Sequence, residues 1–349
     1  MNITLTLRIL GALLLFLAIA LLFPVPFSWF YSDGAASSFI LSALISAGCG
    51  GVLFKRFRSE SELSVREGFA VVSFGWTLFA LFGALPFVFS GAIPSYLNAF
   101  FETMSGFTTT GSTILTDIEA MPPSLLLWRS LTQWLGGMGI IVLSLAILPM
   151  LGVGGMQLFK AEVPGPTADR LKPRIQDTAK LLWGVYVLLT GVEIILLMAG
   201  GMSFFDGINH AFTTMATGGF STRNASIAAY DSAYIDWVIT FFMFLAGVNF
   251  SLHYLALRGR ISDFIRNEEF LFYSGLVMIG TLLITLLNMG SAYPDFLDNL
   301  RFSAFQVVSI ITTTGFGTAD YELWPVLCQY LLIFSMFIGG CAGSTGGGM

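Results

Sequence analysis

Eight stretches of this chain are apolar for close to the ~20 residues that a helix needs to cross the roughly 30 Å hydrocarbon core of a bilayer. They fall near 5–23, 36–54, 68–90, 126–150, 179–201, 235–257, 270–289 and 326–343. Only 11% of the 349 residues are charged, 55% are hydrophobic, and phenylalanine alone occurs 34 times. A soluble chain of this length needs far more polar surface, so the sequence predicts an all-α polytopic membrane protein. The first run carries one basic residue, Arg8, and no small-residue cleavage site before Pro24, so it reads as a retained helix rather than a signal peptide.

Charge placement orients the spans. Arg8, Lys55, Arg56, Arg58, Arg66, Lys160, Arg170, Lys172, Arg174, Lys180, Arg258, Arg260 and Arg266 flank alternate helix ends, and only Arg129, Arg223 and Arg301 fall on the opposite side. The positive-inside rule then predicts a cytoplasmic amino terminus. The outer segments carry Asp33, Glu102, Asp117, Glu119, Asp206, Asp231, Asp236, Asp295, Asp298, Asp320 and Glu322. Such a mouth would concentrate cations by focusing the field, although for most of these residues the plain reading is that they solvate external loops. The net charge of −5 and the lack of a basic patch with interleaved aromatics give nucleic-acid binding no support. Cys49, Cys328 and Cys341 have no paired spacing and read as small buried apolar residues.

Within this frame one motif recurs three times: Thr108-Thr109-Thr110-Gly111-Ser112-Thr113, Ala216-Thr217-Gly218-Gly219-Phe220-Ser221-Thr222, and Thr312-Thr313-Thr314-Gly315-Phe316-Gly317-Thr318. Gly111, Gly219 and Gly315 lie 108 and then 96 residues apart. Each motif follows an apolar segment too short to span, 96–107, 204–215 and 297–311, and precedes a long one. At 1.5 Å per residue a helix of that size reaches about 20 Å, so the chain must turn back as a re-entrant loop. Irregular backbone at that depth survives only when buried in protein or lining water.

The residue types suit a pore loop whose backbone carbonyls replace an ion's hydration shell. Glycine reaches backbone angles closed to other residues and leaves no side chain across the path. Threonines add hydroxyl oxygens and bulk that braces the loop, while Phe220 and Phe316 are placed to anchor their filters, with Ser112 in that position in the first copy. Oxygen dipoles without carboxylates fit a weakly hydrated monovalent cation rather than Ca²⁺ or Mg²⁺. The competing reading, glycine as a helix-packing residue, does not account for three matching copies. The expected ion-binding residues are Thr109, Thr110, Gly111, Thr217, Gly218, Gly219, Thr313, Thr314 and Gly315. The carbonyls of Thr110, Gly111, Gly218, Gly219, Thr314 and Gly315 are the expected potassium ligands.

Three further segments carry a resemblance: 133–142 (QWLGGMGIIV), 147–158 with 161–166 (ILPMLGVGGMQL and AEVPGP), and 339–348 (GGCAGSTGGG). With the filters, they make the chain resemble the TrkH family, the membrane subunits of bacterial Trk-type potassium uptake systems in the Trk/Ktr/HKT superfamily. The resemblance implies a pseudo-fourfold, potassium-channel-like pore of helix–pore-loop–helix repeats after two leading helices. It divides the chain into 1–66 (leading helices and cytoplasmic loop), 67–178, 179–269 and 270–349. Glycine in the first filter goes with potassium there, and serine with sodium. The resemblance also implies inner-membrane location, a homodimer, and a TrkA-like nucleotide-binding regulatory subunit in the cytosol. Potassium is the transported ion, and no organic cofactor is expected.

In the family the glycine-rich segment is an intramembrane loop below the filter, so Gly340, Gly343, Ser344, Thr345, Gly346 and Gly347 are expected to form a gate. Read from the residues alone, the same glycines also fit a frayed helix end. The sequence stops at Met349 inside this loop, with no fourth filter and no basic residue of the last helix. The expectation is a piece of a longer protein that does not conduct unaided.

Glu193 is the one acidic residue deep in a predicted span, a candidate for proton coupling or a helix contact. Asn249 and His253, four apart, would share a helix face and line the cytoplasmic half of the pore or make a structural contact. His210 is expected to pack or hydrogen-bond near the second filter. The alternative functions are an ion-coupled (proton or sodium) secondary transporter and a sodium-permeable cation translocator. A membrane enzyme is not expected, since neither a His-Glu-x-x-His nor a Gly-x-Ser-x-Gly arrangement occurs.

Overall fold

The computed structural model describes residues 2–57, 65–147, 171–290 and 293–348. The described regular structure is helical throughout, apart from an isolated bridge between Met289 and Tyr293. Among the described residues five helices are long and apolar enough to cross a membrane: Ile3–Tyr31, Ala36–Arg56, Arg66–Phe89, Ala179–Ala199 and Glu268–Asn288. The protein is an integral membrane protein. The predicted run 126–150 is helical over Pro123–Ile147, and its last three residues lie outside the described ones.

Two of the predicted spans are not continuous. The run 235–257 is split into Ala233–Ala246 and Phe250–Leu257, bent by 102°, and the run 326–343 is helical only over Val326–Ser335. The interruptions satisfy each other. A broken helix leaves carbonyls and amides without partners, yet here Cys341 N donates to Gly247 O (2.8 Å), Thr345 N to Ala246 O (3.3 Å), and Phe250 N to Gly343 O (3.1 Å). Asn249 caps the second piece by accepting from Ser251 N at 2.8 Å. It therefore stands at the break and shares no helix face with His253. That imidazole is buried between the Phe250 and Phe264 rings and lies 2.9 Å from Leu245 O.

The described residues divide into two compact units, one built on 2–57, 65–133 and 147, the other on 134–146, 171–290 and 293–348. In the first, helices Ile3–Ala20 and Ala36–Arg56 cross where Gly11 faces Gly50. A Cβ on Gly11 would stand 2.8 Å from Gly50 O, and one on Gly50 would stand 2.8 Å from Gly11 O. The missing side chains permit this close helix contact. In the second unit, Leu197, Ala211, Ile239, Met243, Phe305, Val308 and Phe316 form one buried cluster, which packs the second and third short helices together with two spans. Cys49 is exposed rather than buried, while Cys328 and Cys341 are buried, and all three are free thiols.

Candidate functional site

The three short apolar segments are helices, Tyr96–Phe107, Phe204–Met215 and Phe296–Ile311. Each is started by a side-chain cap: Ser95, Ser203 and Asp295 accept from the amide three residues on. Each also ends in the same way. Thr109 N donates to Gly106 O and Thr110 N to Ser105 O; Thr217 N to Thr214 O and Gly218 N to Thr213 O; Thr313 N to Ile310 O and Thr314 N to Ser309 O. All six bonds measure 2.9 or 3.0 Å. This paired pattern is the Schellman closure, which needs a left-handed residue just past the helix.

That residue is usually glycine, but here it is a β-branched threonine: φ is +54° at Thr109, +51° at Thr217 and +59° at Thr313. Two residues later Gly111, Gly219 and Gly315 are left-handed again, at +78°, +74° and +84°. A β-branched residue in this region is a genuine outlier costing about 1–3 kcal/mol, and its threefold repetition marks a built feature. Because each helix runs carboxyl end first into its turn, the negative end of its dipole lies at the glycine motif expected to form a filter, where it favours a cation.

In the second unit the structure brings the second and third filters together with the glycine-rich loop. A Cβ on Gly219 would fall 1.9 Å from Thr314 O, so the two backbones touch, whereas a Cβ on Gly315 would meet nothing within 4 Å. Phe220 and Phe316 are buried as anchors, and Ser112 is exposed. Thr217 Oγ1 donates to Thr345 O (2.8 Å), Thr345 Oγ1 donates to Met215 O (2.9 Å), and Gly347 N donates to Thr313 Oγ1 (2.8 Å). Gly340 N closes the loop on Gly347 O at 3.1 Å. The other residues expected to form a gate pack on the same frame. A Cβ on Gly343 would meet the Asn249 side chain at 3.0 Å, a Cβ on Gly346 would meet Thr312 O at 3.3 Å, and Ser344 Oγ accepts from Gly346 N. Residues 339–348 are thus an ordered loop bonded to both filters, not a frayed helix end.

The first filter belongs to the other unit. Thr108 and Thr110 pair their hydroxyls at 2.8 Å, as Thr312 and Thr314 do in the third copy. Of the family-like segments, 133–139 is placed in part. Trp134 stacks on Phe212 and Tyr186, and a Cβ on Gly137 would stand 2.8 Å from Ala216 Cα at the entry to the second filter. Residues 148–158 and 161–166 lie outside the described residues, as do Arg58, Lys160 and Arg170.

Several charged residues expected in outer loops turn inward. Glu102 is 1% exposed and pairs with Arg129 at 2.6 Å; Asp206 pairs with Arg223 at 3.3 Å; Asp236 pairs with Arg301 at 3.3 Å. Burial of unpaired charge is costly, so the three arginines that broke the charge pattern are the counterions of these acids. Glu193 is fully buried, with its carboxyl beside the Thr214 hydroxyl but closing no hydrogen bond of standard geometry. His210 lies 2.9 Å from Ser221 Oγ, through Nε2, and 2.8 Å from Asp206 O, through Nδ1. It thus holds the segment that leaves the second filter. Among the described residues no group of three or more His, Cys, Asp and Glu is arranged to hold a metal ion.

A protein-family profile described as TrkH, a cation transport protein, matches residues 36–349. Among curated proteins, the Trk system potassium uptake protein TrkH of Halomonas elongata is 43% identical, over 100% of this chain and 73% of that protein. Its namesake in Escherichia coli K12 is 44% identical, over 98% and 72%. Among solved structures, the potassium transporter TrkH from Vibrio parahaemolyticus superposes with a TM-score of 0.91 at 37% identity, covering 100% of this chain and 72% of that one. The chain belongs to the TrkH family of cation transport proteins.

Proposed function

We propose that this protein takes up potassium across the bacterial inner membrane, with its amino terminus in the cytoplasm and its filters on the outer side. The observation that carries the reading is the turn repeated three times, with a left-handed threonine and a left-handed glycine two residues apart at the carboxyl end of a short buried helix. Alternation between left-handed and other backbone conformations lets neighbouring carbonyls turn toward one path. An entering ion exchanges water for the carbonyls of Thr110, Gly111, Gly218, Gly219, Thr314 and Gly315. No bond is made or broken in this reading, and potassium is cargo. Relatives at 41–44% identity carry potassium-uptake names, which supports the choice of ion.

The loop from Gly340 to Gly347 acts as the gate, a role its bonds to Thr217 and Thr313 support. The chain is organised as leading helices (1–66) and three pore repeats (67–178, 179–269, 270–349). A TrkA-like nucleotide-binding subunit and a second copy of the chain are its partners. The relatives' designation as parts of a Trk system supports a multi-component assembly. The test is potassium-limited growth of an uptake-deficient bacterium expressing the protein from its own gene. Growth is restored, and Gly111→Ser weakens discrimination against sodium; unchanged selectivity in that variant removes Gly111 from the filter.

A further inference from the structure

Nine residues before each filter glycine stands a buried polar side chain: Glu102 before Gly111, His210 before Gly219, and Gln306 before Gly315. They are a carboxyl, an imidazole and an amide, yet all three reach the segment that leaves their own filter. Glu102 accepts from the Thr113 hydroxyl at 2.8 Å and from Ile114 N at 2.9 Å. His210 Nε2 lies 2.9 Å from Ser221 Oγ, and Gln306 Nε2 donates to Ala319 O at 3.2 Å.

The common position has a geometric cause. Each short helix stops at a Schellman turn, and the chain then reverses along the helix it has just left. A side chain five residues before the last helical residue stands about 7.5 Å back from the end, where it meets residues two to four beyond the glycine. The turn fixes the entry to the filter by main-chain bonds, but the exit leaves as irregular chain. The residue at this position ties it down.

We infer that these three residues are braces that set ion selectivity, positioning residues that hold the filter at the width suited to potassium without touching the ion. The inference rests on the potassium-uptake reading. A loop held at both ends cannot collapse onto a smaller ion, whereas one released at its exit can follow sodium inward, since selectivity depends on how far the carbonyl cage yields. The chemistry of the brace is interchangeable as long as a hydrogen bond reaches the exit, which explains why three different residue types serve.

The experiment measures initial potassium and sodium uptake in an uptake-deficient bacterium at matched membrane levels of the protein. Gln306→Leu and His210→Leu remove the brace, Gln306→His installs the side chain used by the sister repeat, and Ser221→Ala deletes the hydroxyl that His210 holds, which also accepts from Arg223 N at 3.0 Å within the same exit segment. With the hydrogen bond between brace and exit lost, the sodium-to-potassium ratio is expected to rise about fivefold in the leucine variants and about threefold in Ser221→Ala, while maximal potassium uptake stays within about twofold. Gln306→His keeps the ratio of the unaltered protein. A ratio unchanged in Ser221→Ala overturns the brace, even if the leucine variants fail to reach the membrane. So does a loss of selectivity in Gln306→Leu that Gln306→His shares in full, since packing alone then explains it. If the unaltered protein takes up no potassium, the reading beneath the inference fails first, and visibly so.

Discussion

The second and third filters share a helix end, a left-handed threonine and a left-handed glycine, yet their glycines are needed for different reasons. At Gly219 the space a Cβ would fill is held by Thr314 O, at 1.9 Å; at Gly315 that space is open. One glycine is required by contact as well as by backbone angle, the other by angle alone. The threonines diverge as well. Thr217 Oγ1 donates a hydrogen bond to the glycine-rich loop, at Thr345 O, while Thr313 Oγ1 accepts one from that loop, from Gly347 N. Equivalent positions in a repeat therefore have equivalent backbones and unequal duties, because their neighbours differ.

The contrast between the glycines is the easiest to break. Gly219→Ala is expected to abolish potassium uptake, since a Cβ at 1.9 Å forces one of the two filters to move. Gly315→Ala keeps a fraction of uptake, because it adds only the roughly 1–2 kcal/mol penalty of a left-handed alanine. Comparing initial uptake rates of the two at equal membrane levels decides the matter, and equal losses would mean that contact at Gly219 is irrelevant. A smaller effect separates the threonines. Thr313→Val leaves Gly347 N–H without its acceptor, at about 1–3 kcal/mol, and Thr217→Val leaves Thr345 O short of one donor, at about 1 kcal/mol. The loop is then released more readily in Thr313→Val, read as a larger rise in basal uptake; the reverse order would mean that the loop hangs from the second filter.

The smallest expected effect concerns the link between the segments that follow these filters. Gly317 N donates to Ser226 Oγ at 3.2 Å, and Ala228 N donates to Gly317 O at 3.1 Å. Ser226→Ala removes the first bond and lowers stability by about 0.5–1.5 kcal/mol, visible as a modest drop in the melting temperature of the purified protein with little change in uptake. A large loss of uptake would show that the exit from the third filter depends on this loop.

Much of this was legible in residue order alone. Apolar runs predict the long helices, and the short runs ahead of Gly111, Gly219 and Gly315 predict the re-entrant ones. The breaks at 247–249 and after Ser335 are not legible, because an apolar stretch has the same composition whether its helix continues or stops. Gly247 and Asn249 become a break only when Cys341 N and Thr345 N arrive to take the carbonyls that a continuing helix would use. Glu102, Asp206 and Asp236 look like loop acids until Arg129, Arg223 and Arg301 are placed beside them. The brace position was present in the sequence as a constant offset of nine. Its three unlike residues conceal it from any search by residue type, and only the reversal of the chain gives the offset meaning.

The reciprocal bonding of the two interrupted spans bears on how the gate proposed above would open. The glycine-rich loop supplies the missing partners of the 246–250 break, and the break supplies those of the loop. A loop that simply swung aside would strand Ala246 O, Gly247 O and Phe250 N inside the membrane together with its own donors and acceptors, a heavy cost where water is scarce. Opening of the proposed gate would therefore be a joint transition. Either the bent span straightens and recovers its helical bonds as the loop departs, or water enters in step with the loop and takes over both sets of groups. In the proposed gate no separate latch is needed, because the helix break that seats the loop is bonded to the loop in return.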